Sequence, residues 1–201
     1  MFDRSASQLM APMIQRLARQ CERLGLSANQ LTLLGFLLGI FAAFLIAFDA
    51  YLAGAGAILA SRLLDALDGT VARLTQATDA GGFLDIALDF VFYASIPLAF
   101  ALHDPATNAL PAALLLASFI GTGSSFLAFA TVAAKRGMAS VAMPDKSFYF
   151  LGGLTEATET IAAFVVMCLW PQWFPHIAYG FAVLCGITVV LRVGWGWQQF
   201  R

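Results

Sequence analysis

The sequence predicts an all-α, polytopic membrane protein with six transmembrane helices preceded by an N-terminal amphipathic interfacial helix. Three observations lead there. First, 60% of the 201 residues are hydrophobic and only 11% are charged, against about 25% charged in an average soluble domain. The mean hydropathy is +0.80. Second, apolar stretches recur at the length of about 20 residues that crosses a bilayer core. Third, Lys and Arg are confined to alternate connections. So few solvated groups disfavour a soluble globular domain, a disordered segment and a nucleic-acid-binding module together.

In chain order, Leu9, Met10, Met13, Ile14, Leu17, Cys21 and Leu24 recur every three or four residues. They form one face of a helix, with Arg16, Arg19 and Arg23 nearer the other. Residues 1–30 therefore read as an amphipathic juxtamembrane segment lying on the anionic leaflet, or as a helix docked on the protein surface. A cleavable signal would need a continuous apolar core, which this Arg-rich stretch lacks, so none is expected. Residues 31–201 read as a single six-helix transmembrane domain, with spans at 31–48, 51–72, 82–102, 109–134, 148–169 and 175–196. Turn residues or breakers mark the short connections at 49–51, 103–108 and 171–175. No internal repeat of the transporter type is visible.

All 11 basic residues fall on one side of this layout, which the positive-inside rule makes cytoplasmic. Both termini are expected there, in the cytoplasmic (inner) membrane of a bacterium. Cys21, Cys168 and Cys185 form no CxxC pair and lie near no His cluster, so they read as small apolar packing residues.

The informative stretch runs from Ser61 to Phe90. Asp65 and Asp68 share one helical face near the end of span two, and Asp85 and Asp89 share another at the start of span three. Two adjacent antiparallel helices would thus offer four carboxylates to one pocket. Left unpaired in a membrane they would cost roughly 10–14 kcal/mol. Arg62 and Arg73 are too few to neutralise them, whereas divalent cations can. Carboxylates without nearby His or Cys select Mg²⁺ or Mn²⁺ over zinc, and four can bridge a pair of ions suited to phosphoryl chemistry. Gly69 and Gly81 would let a ligand approach the backbone closely. Helix packing or capping is the alternative for each residue taken singly.

Asp65, Asp68, Gly69, Ala72, Arg73, Gly81, Asp85 and Asp89, at these spacings, resemble in full the signature of the CDP-alcohol phosphotransferase family. A chance match at eight fixed positions is on the order of one in a billion per starting residue. The six-span layout is similar to the family's, and Leu26–Thr32 (LSANQLT) resembles its TPNxLT-type approach to span one, with Ala28 in place of Pro.

The resemblance implies an enzyme of phospholipid biosynthesis that transfers a substituted phosphate from a CDP-linked donor to an alcohol and releases CMP. It implies Asp65, Asp68, Asp85 and Asp89 as ligands of two divalent ions, Mg²⁺ or Mn²⁺, with Asp89 also the general base. It implies Asp65, Gly69, Ala72, Arg73 and Gly81 as receivers of the cytidine diphosphate, with Asn29 and Thr32 on the nucleotide side. A homodimer is common in the family. A pocket at the membrane interface suits CDP-diacylglycerol as donor, although a soluble CDP-alcohol attacked by diacylglycerol also occurs there.

The acceptor is less legible. Lys135, Arg136, Lys146 and Arg192 could receive an anionic alcohol such as glycerol 3-phosphate or inositol phosphate, or serve only as positive-inside anchors. Glu156 and Glu159, read as lying one to three turns inside span five, point instead to an amine such as serine or an amino alcohol, or to structural pairing. The glycine-rich patch 121–125 and the pair Gly35 and Gly39 read as close helix packing, a pocket wall or an oligomer interface. The rival readings are a divalent-cation transporter, opposed by the position of the acids near one membrane face, and an inactive lipid-binding homologue, opposed by the complete signature.

Overall fold

The computed structural model describes residues 3–137 and 155–201, with side chains from residue 11 onward. These residues form seven α-helices: α1 (Asp3–Arg23), α2 (Ala28–Ala47), α3 (Tyr51–Leu74), α4 (Asp79–His103), α5 (Pro105–Lys135), α6 (Ala157–Leu169) and α7 (Phe174–Phe200), with one 3₁₀ turn at Pro171–Trp173. No strand occurs among the described residues. The all-helical expectation is met.

Local chemistry sets the helix ends. Ser27 caps α2 in a reciprocal box with Gln30, its backbone N–H donating to Gln30 Oε1 at 2.9 Å. Thr78 caps α4 by accepting from the Gly81 amide at 3.1 Å. Asp79 is the first helical residue of α4 and is exposed to solvent. Asp104 ends α4 and caps α5, and its hydrogen bonds from Thr107 hold its carboxyl below the usual range.

Four helices (α2, α4, α5, and 171–200 taken as one) are long and apolar enough to cross a membrane. Helix α3 has the length, 24 residues or about 36 Å, but carries Arg62, Asp65, Asp68 and Arg73. Helix α6 has 13 residues, shorter than the expected span at 148–169. Its start at Ala157 leaves Glu156 as the N-cap, so the two glutamates sit at the helix end and not one to three turns inside it. Gly152 to Leu154 and Lys146 lie outside the described residues.

Helix α2 is the wedge of the bundle. It packs extensively on both α3 and α4, whereas α3 and α4 have little direct backbone contact. The two acid-bearing helices are therefore not packed neighbours, as the sequence implied, but walls of a cleft closed from behind by α2. Small residues make this possible. A Cβ on Gly35 would stand 3.3 Å from Leu64 Cβ and the Ser61 carbonyl, and one on Gly39 would stand 2.5 Å from the Phe92 ring. This pair is used inside the chain and offers no interface between copies.

Aromatic rings fill the centre. Phe92 and Phe119 meet Phe164 edge-on, and Phe100 stacks on Phe174 at 4.4 Å. Helix α1 docks through Ile14 and Ala18 on a smaller apolar cluster containing Leu31, Leu67 and Val71. Leu67 and Val71 lie on α3 beside Asp68, so α1 buttresses the acid-bearing turn from outside.

Phe92 is fully buried and cannot swing away. Gly39→Ala should therefore lower the stability of the detergent-solubilised protein by about 1–3 kcal/mol. Gly56→Ala, where a Cβ meets nothing within 4 Å, should be neutral or stabilising by up to about 1 kcal/mol. Thermal unfolding of the two variants side by side checks the wedge; equal melting temperatures would refute it.

Candidate functional site

The i, i+3 spacing that aligns Asp65 with Asp68 holds on α3, and the start of α4 brings Asp85 opposite. One carboxylate oxygen from each of Asp65, Asp68 and Asp85 lies within 4.8 Å of the others. Two like charges 4 Å apart repel by about 4 kcal/mol at a protein-surface dielectric, so the trio calls for a cation. Asp68 is only 5% exposed, and its Oδ2 has no hydrogen-bond partner among the described residues. A buried, unsatisfied carboxylate oxygen within a group of hard oxygen donors fits a bound divalent ion such as Mg²⁺ or Mn²⁺.

Asp89 is handled differently. Arg62 Nη1 donates to its Oδ1 at 2.6 Å, and the same nitrogen lies 3.3 Å from Asp65 Oδ1. The guanidinium also donates through Nη2 to Ser61 Oγ at 3.2 Å and lies over the Phe92 ring, 4.0 Å from its centroid. Its side chain is 9% exposed, whereas those of Asp65 and Asp89 are about one-third exposed. Sequence reasoning passed over this role. The signal was Arg62 lying three residues before Asp65; its link to Asp89, 27 residues away, depends on the tertiary fold.

Around the acids, Gly81 faces Asn29 across the α2–α4 contact, and a Cβ there would stand 2.9 Å from Asn29 Oδ1. Thr32 is buried, donates to the Ala28 carbonyl at 3.1 Å and adjoins the Asp68 carboxylate. Arg73 donates to Thr70 Oγ1 at 2.9 Å, and one of its guanidinium nitrogens borders Gly69. Ala72 is half-buried on the same turn. The residues expected on the nucleotide side thus gather at the acid-bearing end of the bundle.

The acceptor candidates separate. Arg192 is 8% exposed and donates to the Thr122 carbonyl at 2.8 Å and to Ser125 Oγ at 3.3 Å. Glu156 lies within its electrostatic reach. The Glu156 amide donates to Glu159 Oε2 at 3.2 Å, so Glu159 serves the start of α6. Lys135 is exposed at the end of α5. Arg136 turns away, donating to the Phe200 carbonyl and lying over its ring. The patch at 121–125 is packing and seat at once: Gly121 faces Val189, Gly123 accommodates Phe90, and Thr122 and Ser125 hold Arg192. Phe90 follows Asp89, so the Arg192 group and the acids border the same stretch of α5.

Residues 26–192 match the family model for CDP-alcohol phosphatidyltransferase. Inner membrane protein YnjF of Escherichia coli is 49% identical over 201 residues, covering 100% of this chain and 98% of that one. Archaetidylinositol phosphate synthase of Pyrococcus horikoshii is 40% identical over 94 residues, covering 44% of this chain and 48% of its own. The fold is similar to that of phosphatidylinositol phosphate synthase of Mycobacterium tuberculosis with CDP-DAG bound, at a TM-score of 0.67 and 23% identity over 92% of this chain and 94% of that one. The same synthase has been solved with manganese and citrate.

Removing Arg62 strands two carboxylates, whereas exposed Arg73 holds only a hydroxyl. In divalent-free solution Arg62→Ala should cost roughly 1–3 kcal/mol, reduced from the fully buried case by the exposure of its partners. Arg73→Ala should stay within about 0.5 kcal/mol of the parent. Denaturant or thermal melts with chelator present compare the two directly.

Proposed function

The chain belongs to the CDP-alcohol phosphatidyltransferase family, and from that premise we propose that it transfers a phosphatidyl group from CDP-diacylglycerol to a small anionic alcohol, a polyol phosphate such as glycerol 3-phosphate or an inositol phosphate, releasing CMP. The observation that carries this reading is the convergence of Asp65, Asp68 and Asp85 around the unpartnered Asp68 oxygen. These residues would hold a divalent ion, with Asp89 completing the acidic signature. When bound, such an ion supplies charge neutralisation for the diphosphate and for the departing CMP.

The chain's own groups account for the rest. Gly81, with Asn29 behind it, leaves backbone open to the nucleotide, and Gly69, Ala72, Arg73 and Thr32 border the same space. The acceptor hydroxyl attacks the phosphatidyl phosphorus; its oxygen bonds to phosphorus as the bond to the CMP oxygen breaks. Asp89 receives the hydroxyl proton, the role of a general base within reach of the acceptor. Arg192 offers a desolvated cation beside the Thr122–Ser125 seat, suited to the acceptor's phosphate. The glutamates favour this over an amine: Glu159 serves the helix end and Glu156 faces Arg192. Lys135, exposed at the end of α5, would add only diffuse positive potential.

In the membrane, we read α2 to α7 as six spans, with α3 crossing despite its charges. Helix α1 then lies at the interface, its arginines toward anionic headgroups. The acid-bearing end and both termini face the cytoplasm, since the basic residues gather there.

Purified protein given CDP-diacylglycerol, Mg²⁺ or Mn²⁺ and a panel of alcohols should release CMP only with a phosphorylated polyol, and chelation should abolish release. Preference for serine or an amino alcohol would overturn the acceptor assignment. Asp89→Asn should retain fold and donor binding while turnover falls by about 10²–10⁴-fold. Arg192→Gln should raise the KM for the acceptor far more than that for the donor, and unchanged acceptor KM would remove Arg192 from the site.

A further inference from the structure

We propose that Thr155 and Thr188 are positioning residues of the acceptor seat: their hydroxyl pair closes the start of α6 onto α7 one turn from Arg192, and so fixes where Arg192 and Glu156 stand when the acceptor's phosphate arrives. This role rests on the acceptor reading above and extends it from one side chain to the wall that holds it.

The wall needs such a tie. Helices α6 and α7 flank the short turn at Pro171–Trp173, yet they have little direct backbone contact along their length. Phe119 of α5 stands against both, with its ring centroid 6.1 Å from that of Phe164 on α6 and 6.4 Å from that of Phe181 on α7, edge-on to each. Apolar packing therefore spaces the two helices, and the end that bears Arg192 is drawn in by something else. Thr155 Oγ1 lies 3.2 Å from Thr188 Oγ1. Thr188 gives its one hydroxyl proton to the Leu184 carbonyl at 3.1 Å, so Thr155 is the donor of the pair. Thr188 is 1% exposed, and a hydroxyl so deep in an apolar bundle holds its partner because no water is there to replace it. The Cys185 thiol, about one turn away, adjoins Thr155 on one side and Ser118 of α5 on the other, which carries the tie across to α5.

Arg192 follows Thr188 by four residues, about 6 Å along the same face of α7. Its Nη1 donates to the Thr122 carbonyl and to Ser125 Oγ on α5. Glu156, next to Thr155 in the chain, lies within its electrostatic reach. The guanidinium thus stands between an α5 seat and an α6 acid. On the α5 side Gly121 fits closely against Val189, so the α6 side is the one that can give, and the hydroxyl pair is what restrains it.

The test is initial-rate CMP release by the full chain in detergent, with the better of glycerol 3-phosphate and inositol phosphate as acceptor, beside hydrogen–deuterium exchange of the 156–160 amides. Thr188→Val removes the hydroxyl at nearly constant volume. It should raise the acceptor KM by about tenfold, speed exchange of those amides, and leave the donor KM and the kcat at saturating acceptor within about twofold of the parent. Thr155→Val should do the same, and the double variant should be no worse than either, because both lose one shared bond. Thr188→Ser, which keeps the hydroxyl, should restore the parent's acceptor KM. An unchanged acceptor KM or unchanged exchange in a folded Thr188→Val, with Arg192→Gln still raising the KM, would overturn the positioning role and leave the acceptor seat standing. A loss shared equally by kcat and the donor KM would also overturn it, since that is general loosening of the bundle. An unchanged acceptor KM in Arg192→Gln would remove the seat, and this role with it. Circular dichroism checks the fold of each variant; if Thr188→Val does not fold, Thr155→Val, at the less buried partner, is read in the same way.

Discussion

Like charge gathered at the end of an apolar bundle is the constraint on which the rest of this structure depends. Asp65, Asp68 and Asp85 present oxygens within 4.8 Å of one another, and Asp89 stands across the cleft. Nothing in helix propensity or apolar packing favours that arrangement. Arg62 offsets part of it from within, lying 9% exposed between two helices that otherwise barely touch.

The apolar scaffold is subordinate to this. A cleft between α3 and α4 has to be held open, yet both walls must be supported, and α2 does both. Gly39 is where the wedge is thinnest: it admits Phe92, Phe92 carries Arg62, and Arg62 holds Asp65 and Asp89. Packing and electrostatics are thus one chain of contacts. Gly123 repeats the device on the other side of α4, giving room to Phe90 directly after Asp89. Small residues in these helices pack the bundle by lodging the rings that position charge.

How much of this the sequence disclosed follows from the range of each interaction. The i, i+3 spacing of Asp65 and Asp68 is local geometry, and the acids converge as the spacing implied. Arg62 and Asp89 are 27 residues apart, and no periodicity relates them, so Arg62 was counted as a cation but not placed. The start of α6 was misjudged for a related reason. Glutamate is a weak N-cap signal, so Glu156 and Glu159 read as buried acids within a span, whereas they sit at its mouth. Gly35 and Gly39 have the spacing of an interface between copies, and only the fold shows α3 and α4 filling it. The cleft itself was illegible, because hydropathy says which helices are apolar but not which pairs stay apart.

Two polar groups at one end of the bundle serve different ends because their supports differ. The acids are fixed by α2 from behind and by α1 from outside, through Leu67 and Val71 beside Asp68. Arg192 is held against α5 through a backbone carbonyl and one hydroxyl. The acidic wall is therefore buttressed from two sides. Replacing Thr122, Ser125 or Arg192 would reshape that seat without touching Asp65, Asp68 or Asp85. Because Phe90 fits Gly123 on that same stretch of α5, the seat remains in register with Asp89.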